Sequence, residues 1–204
     1  MSLTLAGLCA PEARANPFTV TLTQQGGNVI ATGNGSLDIS GLKLYGSGAP
    51  TDSMDPTFSD IILGASAADS YAVTFLADEG LGFGIGGTSY ASAAAGDTVG
   101  LFTLTNSQGQ YTEPLIGLLI VPANYVSDSA LSDSATWDDS TFASLGVTPG
   151  TYRLAWGSDM DQGITLDVLE APPVAEPSSI GLLASGLLAI GIVILRRRRP
   201  SFSP

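Results

Sequence analysis

The sequence predicts an all-β exported domain, an antiparallel β-sandwich or jelly roll, followed by one C-terminal transmembrane helix. Three observations carry that reading. Apolar residues alternate with polar ones at period two in segment after segment. Helical periodicity is scarce before residue 170, and Gly, Asn and Pro turn pairs separate the alternating segments. Eight or more short strands without intervening helices are the pattern of a sandwich or jelly roll.

The elements follow in chain order. Phe18, Val20 and Leu22 alternate with Thr19, Thr21 and Thr23 in a first strand, and Gln25-Gly26-Gly27-Asn28 turns it back into a second one near residues 29–39. Asn34-Gly35 reads either as a type I′ turn or as a bulge within one long strand. Residues 49–60, with Asp52, Met54, Asp55 and Pro56, read as a loop. Strands are expected near 71–76, 99–105 and 115–121, with an irregular Gly, Ala and Ser-rich stretch at 80–100. Phe142 and Leu145 are expected to pack under the sheet, and Pro149-Gly150 to turn the chain into a strand where Tyr152, Leu154 and Trp156 share one face. That face makes Trp156 a core residue. Asp161-Gln162-Gly163 reads as a turn into a last strand at 164–169. No period of twenty to fifty residues recurs, which excludes a solenoid.

Composition narrows the chemistry. The chain has 204 residues, 19 acidic against 7 basic, no His and one Cys. Without His there is no imidazole base, no Ser-His-Asp or Cys-His pair and no imidazole metal ligand. Between residues 16 and 175 seventeen acidic residues face two basic ones, Lys43 and Arg153, a balance of −15. Such a surface repels nucleic acid, whose phosphates require Lys and Arg.

Both ends read as processing segments. Residues 3–10 are apolar, and Ala13-Arg14-Ala15 fits the small-x-small cleavage pattern of a secretory signal, so residues 1–15 are expected to be removed and the mature chain to begin at Asn16. No basic residue precedes the apolar stretch, which places the expected translation start upstream of Met1. Leu8 stands where a lipobox needs a small residue before Cys9, so lipidation is not expected. Removal of the leader would leave a chain without cysteine, hence without disulfides or thiolate chemistry.

At the other end, residues 171–179 form a proline-rich linker, residues 180–195 are sixteen positions without a charge, and Arg196, Arg197, Arg198 and Arg199 follow at once, ahead of a five-residue tail. A helix of that length rises roughly 24 Å, and flanking residues with snorkelling arginines can cover the remaining bilayer thickness. The positive-inside rule keeps residues 196–204 cytoplasmic and exports everything before Ile180 through the Sec translocon. Gly181, Ser185 and Ala189 recur every four residues, a small-residue face on which another helix can approach closely.

Val174-Ala175-Glu176-Pro177-Ser178, the apolar segment and the terminal arginines, in that order, resemble the PEP-CTERM sorting signal of Gram-negative bacteria. Ala175 departs from the usual Pro; Val174, Glu176, Pro177 and Ser178 match. The resemblance implies a substrate of exosortase, a membrane transpeptidase-like enzyme that cuts near Glu176-Pro177. It implies passage through an inner-membrane intermediate and delivery to the cell surface or to an exopolysaccharide matrix. Residues 135–157 and 164–168 are similar to the closing half of a recurrent exported domain carried by such proteins, through the Phe-Ala-Ser-Leu-Gly-Val-Thr-Pro-Gly-Thr-Tyr run that begins at Phe142. That resemblance implies no activity, no cofactor and no enzyme.

Candidate chemistry within the domain is sparse. Asp159, Asp161 and Asp167 could supply oxygens to calcium, but the third Asp or Asn and the distal Glu of an EF-hand loop are missing, and a solvated turn is the better reading of them. Asp138-Asp139 beside Trp137, and Asp78-Glu79, are adjacent carboxylates that a strand would send to opposite faces, so neither makes an acid-base pair. Gly84-Ile85-Gly86-Gly87 lacks the spacing and basic partner of a phosphate loop. Two readings remain: a non-enzymatic surface or matrix protein, and a carbohydrate-binding module that stacks sugars on Trp137, Tyr125 or Trp156.

Overall fold

The computed structural model describes residues 17–77, 82–104, 115–157 and 162–170. The strands are β1 (Phe18–Gln25), β2 (Asn28–Gly35), β3 (Lys43–Gly48), β4 (Ser53–Asp55), β5 (Asp60–Leu63), β6 (Ala68–Ala77), β7 (Ser89–Tyr90), β8 (Ala93–Gly96), β9 (Val99–Thr103), β10 (Leu115–Pro122), β11 (Leu131–Trp137), β12 (Gly150–Trp156) and β13 (Gln162–Val168). One helical turn, α1 (Phe142–Leu145), is the sole helix among the described residues. The protein is all-β and sandwich-like. One sheet runs β12-β13-β1-β2-β11-β8, the other β7-β4-β5-β9-β10-β6, and β3 lies on the edge of β6. Every pairing is antiparallel except β1 with β13.

Alternation translates directly into burial. Phe18, Val20 and Leu22 of β1 point inward, as do Val29 and Ala31 of β2, while the threonines between them face outward. The two strands are joined by Gly26-Gly27, with φ +59° and +91°, the left-handed pair that a two-residue hairpin needs. From the facing sheet come Met54, Ile61, Leu63, Phe75, Leu101, Leu119 and Val121. Trp156 meets Phe75 edge to face at 6.3 Å between ring centres.

The sheets are joined on both sides. Along most of its length β6 pairs with β10, while its other edge is shared: β3 covers residues 68–72, and β12 reaches Leu76 and Ala77. On the opposite side residues 89–96 begin as β7 beside β4 and end as β8 beside β11. α1 closes the end of the core near Phe83. Thr141 caps it, accepting from the Ser144 amide at 3.0 Å, and Phe142 and Leu145 are buried beneath it as the sequence predicts.

Several expectations need correction. The stretch 49–60 contains β4, and 80–100 contains β7 and β8. Gly35 is neither a hairpin turn nor a bulge: it ends β2 at φ +134°, pressed against the Pro17 and Phe18 backbone, where a Cβ would overlap. Gln162 and Gly163 belong to β13 and pair with Trp156 and Ala155, so these two are strand and not turn residues, while Asp161 lies outside the described residues. Among the described residues no helix is long and apolar enough to cross a membrane. Residues 1–15, including Ala13 and Ala15, and the linker, apolar segment and arginines at 171–204 lie outside the described residues.

Trp156 is 2% exposed, and its indole N–H has no acceptor among the described residues. Trp156→Ala should therefore lower stability by roughly 3–5 kcal/mol as a large core truncation. Trp156→Phe removes the unpaired donor together with part of the ring, so it should cost clearly less. Thermal denaturation of both variants measures this; equal losses would show that the N–H has a partner.

Candidate functional site

The aromatic side chains expected to stack sugars offer no platform. Trp137 and Trp156 are each 2% exposed, and the Trp137 indole N–H donates to the Ser89 carbonyl at 3.2 Å. Tyr125 is half-buried; its hydroxyl accepts from the Leu37 amide at 3.0 Å and donates to the Ser129 carbonyl at 2.7 Å, tying two loops together. All three aromatics serve packing.

The candidate carboxylates that lie among the described residues are also dispersed. Asp138 and Asp139 sit in an exposed turn after β11 and not on a strand; Asp139 has φ +48° and donates its amide to Asn28 Oδ1 at 3.1 Å. Asp167 accepts from the Thr151 hydroxyl at 2.8 Å, near the Val168 end of β13. Asp159 and Asp161, like Asp78 and Glu79, lie outside the described residues. No group of three metal-ligating side chains occurs among the described residues. Gly84 and Gly86 pack against the Gly146 and Leu145 backbones beside α1, where a Cβ would overlap a carbonyl oxygen.

What the sequence did not single out is the notch beside β6. Between the end of β3 and the end of β12, Val73, Thr74 and Phe75 have no strand partner on that edge among the described residues. A cleft of about 440 Å³ opens there, with Val73, Leu42 and Trp156 as its apolar wall and Asp38, Ser40 and Gln162 as its polar groups. The Ser40 hydroxyl and amide and the Ser127 hydroxyl hold the Asp38 carboxyl below the usual carboxylate range, so it is charged at neutral pH. Its Oδ1 accepts from the Ser40 amide at 2.7 Å, and its Oδ2 accepts from Gln162 Nε2 at 3.3 Å. A fixed carboxylate, an amide and a hydroxyl at the mouth of an apolar cleft suit a ligand rich in hydroxyl groups.

Two further carboxyls were missed because nothing in their local sequence marks them. Burial pushes Asp60, at the start of β5, up to about 7, with Asp55 adding to the effect, although the Thr103 amide donates to its Oδ1 at 2.6 Å. Burial likewise pushes Asp133, in the middle of β11, up to about 7. No family model, curated protein or solved structure matches the chain.

Asp60 makes folding stability depend on pH with a definite sign. Its folded value lies above its unfolded one, so the folded state holds the proton; stability is full below about pH 4 and falls as pH rises through 7. Asp60→Asn keeps an oxygen acceptor for the Thr103 amide and removes the titration. Its melting temperature should exceed that of the parent at pH 8 and match it near pH 4. Parallel melting curves for the two proteins across this range would refute the assignment.

Proposed function

We propose that the chain is an exported, non-enzymatic surface or matrix protein, delivered as a membrane-anchored intermediate and processed at its C-terminal sorting segment. The observation that carries this reading is the order of three parts: Val174 to Ser178 with Glu176-Pro177-Ser178, the uncharged residues 180–195, and Arg196 to Arg199. Prolines keep the first part extended and its backbone accessible, whereas a helix in lipid has every amide satisfied and shielded. The enzyme implied is an exosortase-like membrane transpeptidase that cuts between about residues 174 and 179. Absence of His throughout and of Cys after residue 9 supports a non-catalytic role.

The cleft beside β6 favours a second reading, a carbohydrate-binding module. It keeps the ligand class expected for Trp137, Tyr125 and Trp156 but moves the site to Asp38, Ser40 and Gln162, whose groups donate to and accept from hydroxyls.

Intact-mass measurement of the protein recovered from the native cell surface or medium should show loss of the apolar segment and all four terminal arginines. Chain ending at Pro204, recovered only from membranes of cells that contain an exosortase, would leave a plain single-pass anchor instead. For the second reading, neutral oligosaccharides titrated into the purified protein should shift NMR signals of Gln162 and Ser40, and Asp38→Asn with Gln162→Ala should abolish the shifts. No perturbation across a panel of neutral glycans would reject it.

A further inference from the structure

Strand β11 carries an unusual inward sequence. Leu131, Asp133, Ala135 and Trp137 are its buried positions, so a carboxyl occupies a place in the apolar core at 5% exposure. Neither of its oxygens has a hydrogen-bond partner among the described residues. The Gly33 amide lies near enough to favour the ionised form, but it makes no well-formed bond. Space for the carboxyl comes from glycine: Asp133 pairs with Gly33 on one side and Gly96 on the other. A Cβ on Gly33 would overlap Asp133 Oδ1 and the Phe18 ring. With no side chains on either flank, a shallow groove at Gly33, Gly96 and Ser132 brings solvent close to the Asp133 backbone.

The residues that cover this position are also those that close the sandwich. β8 bonds along β11, Ser92 donates to the Thr136 carbonyl at 2.7 Å, and Asp97 donates its amide to the Ser132 carbonyl at 2.9 Å while its Oδ2 accepts from the Ser132 amide at 2.9 Å. Ala91 donates to the Asp52 carbonyl at 3.0 Å. This seam is thin, for β7 has two residues and β8 has four, Ala-Ala-Ala-Gly, largely exposed. The charges that act on Asp133 are Asp97, beside β8, and Asp52, just before β4, and both are acidic. Gly33, Gly96 and Phe18, from the other elements packed against it, carry no charge.

We propose that residues 89–96 form a pH-controlled latch, closed while the Asp133 carboxyl is protonated and released when it ionises beside Asp52 and Asp97. Burial, then repulsion from those two carboxylates, raises the Asp133 value to about 7, and burial raises Asp52 as well. The folded value is above the unfolded one, so closure is strongest in acid and weakens up to about pH 7. Ionisation is met by exposing Asp133 to water, and the seam beside it is a cheap place to open because none of residues 89–96 is buried. Release would bare the β11 edge and uncover the Trp137 ring, whose Ser89 partner leaves with β7.

Hydrogen exchange on the folded full chain, corrected for intrinsic rates, tests this between pH 5 and 8. Protection at β8 and along its side of β11 should fall about tenfold per pH unit up to pH 7 and then level off. The β1–β2 hairpin should change less. Asp133→Asn should remove the pH dependence at the seam, while Asp60→Asn should leave it. Should Asp133→Asn fail to fold, carbon NMR titration of Asp133 in the parent protein decides: a midpoint near 7 supports the latch, and one near 4 overturns it. Seam protection independent of pH, or a decline spread equally over all strands, would also overturn it.

Discussion

Strand β6 is bound on one edge by β10 and must divide the other between two strands from different sheets. Its ten residues allow this: β3 takes the first five positions and β12 the last two. The three positions between are too few for another strand and too many for an unbroken seam. The fold fills that interval with side chains from elsewhere: Trp156 seals the interior against Phe75, and the 38–42 loop stands over the outside. The cleft is thus a consequence of joining two sheets through one strand. Its polar lining is what makes it a candidate for binding, since an apolar notch of that size would be a packing defect.

On the opposite side closure rests on far less. Apart from Tyr90, residues 89–96 have small side chains, mostly exposed, and the bonds that hold them run chiefly from backbone to backbone. One joined side is dense with Phe75, Val73 and Trp156, while the other depends on alanines laid against β11. Such asymmetry concentrates low stability in one place. A buried acid adjoining the dense side would be tolerated or would destabilise the whole domain; adjoining the thin side, its ionisation has a local outlet.

Legibility in the sequence followed strand length and side-chain contrast. β1, β6, β10, β12 and β13 each contain at least two inward apolar residues separated by polar or outward ones, and their positions are readable to within a few residues. β4, β5 and β7 have two to four residues, too short for a period to declare itself. β8 is all small residues, so neither face is marked. In β11 the pattern is real but disguised, because Asp133 and Ala135 occupy inward positions where branched or aromatic residues would have signalled a strand. The same substitution hid the strand and the buried carboxyl. The cleft was illegible for another reason: Asp38, Val73, Trp156 and Gln162 are separated by up to 124 positions, and only the register of β3 and β12 on β6 brings them together.

The parallel pairing of β1 with β13 connects folding to the proposed processing. Phe18 lies opposite Ile164 and Leu22 opposite Val168, so the first described strand is held between β2 and the last one. β1 cannot complete its hydrogen bonds, nor Phe18 its burial, until the chain has been made through residue 168. Loop closure over that span is slow because its entropy must be met before the contacts form. A cut between residues 174 and 179 falls beyond Val168 and beyond the Leu169 amide that donates to the Leu22 carbonyl at 3.0 Å. It therefore removes no described strand and no core side chain. A cut within residues 162–168 would instead sever β13, which lies between β12 and β1 in its sheet. Under the proposed processing, residues 171–179 would take the cut without drawing on the strand that closes the fold.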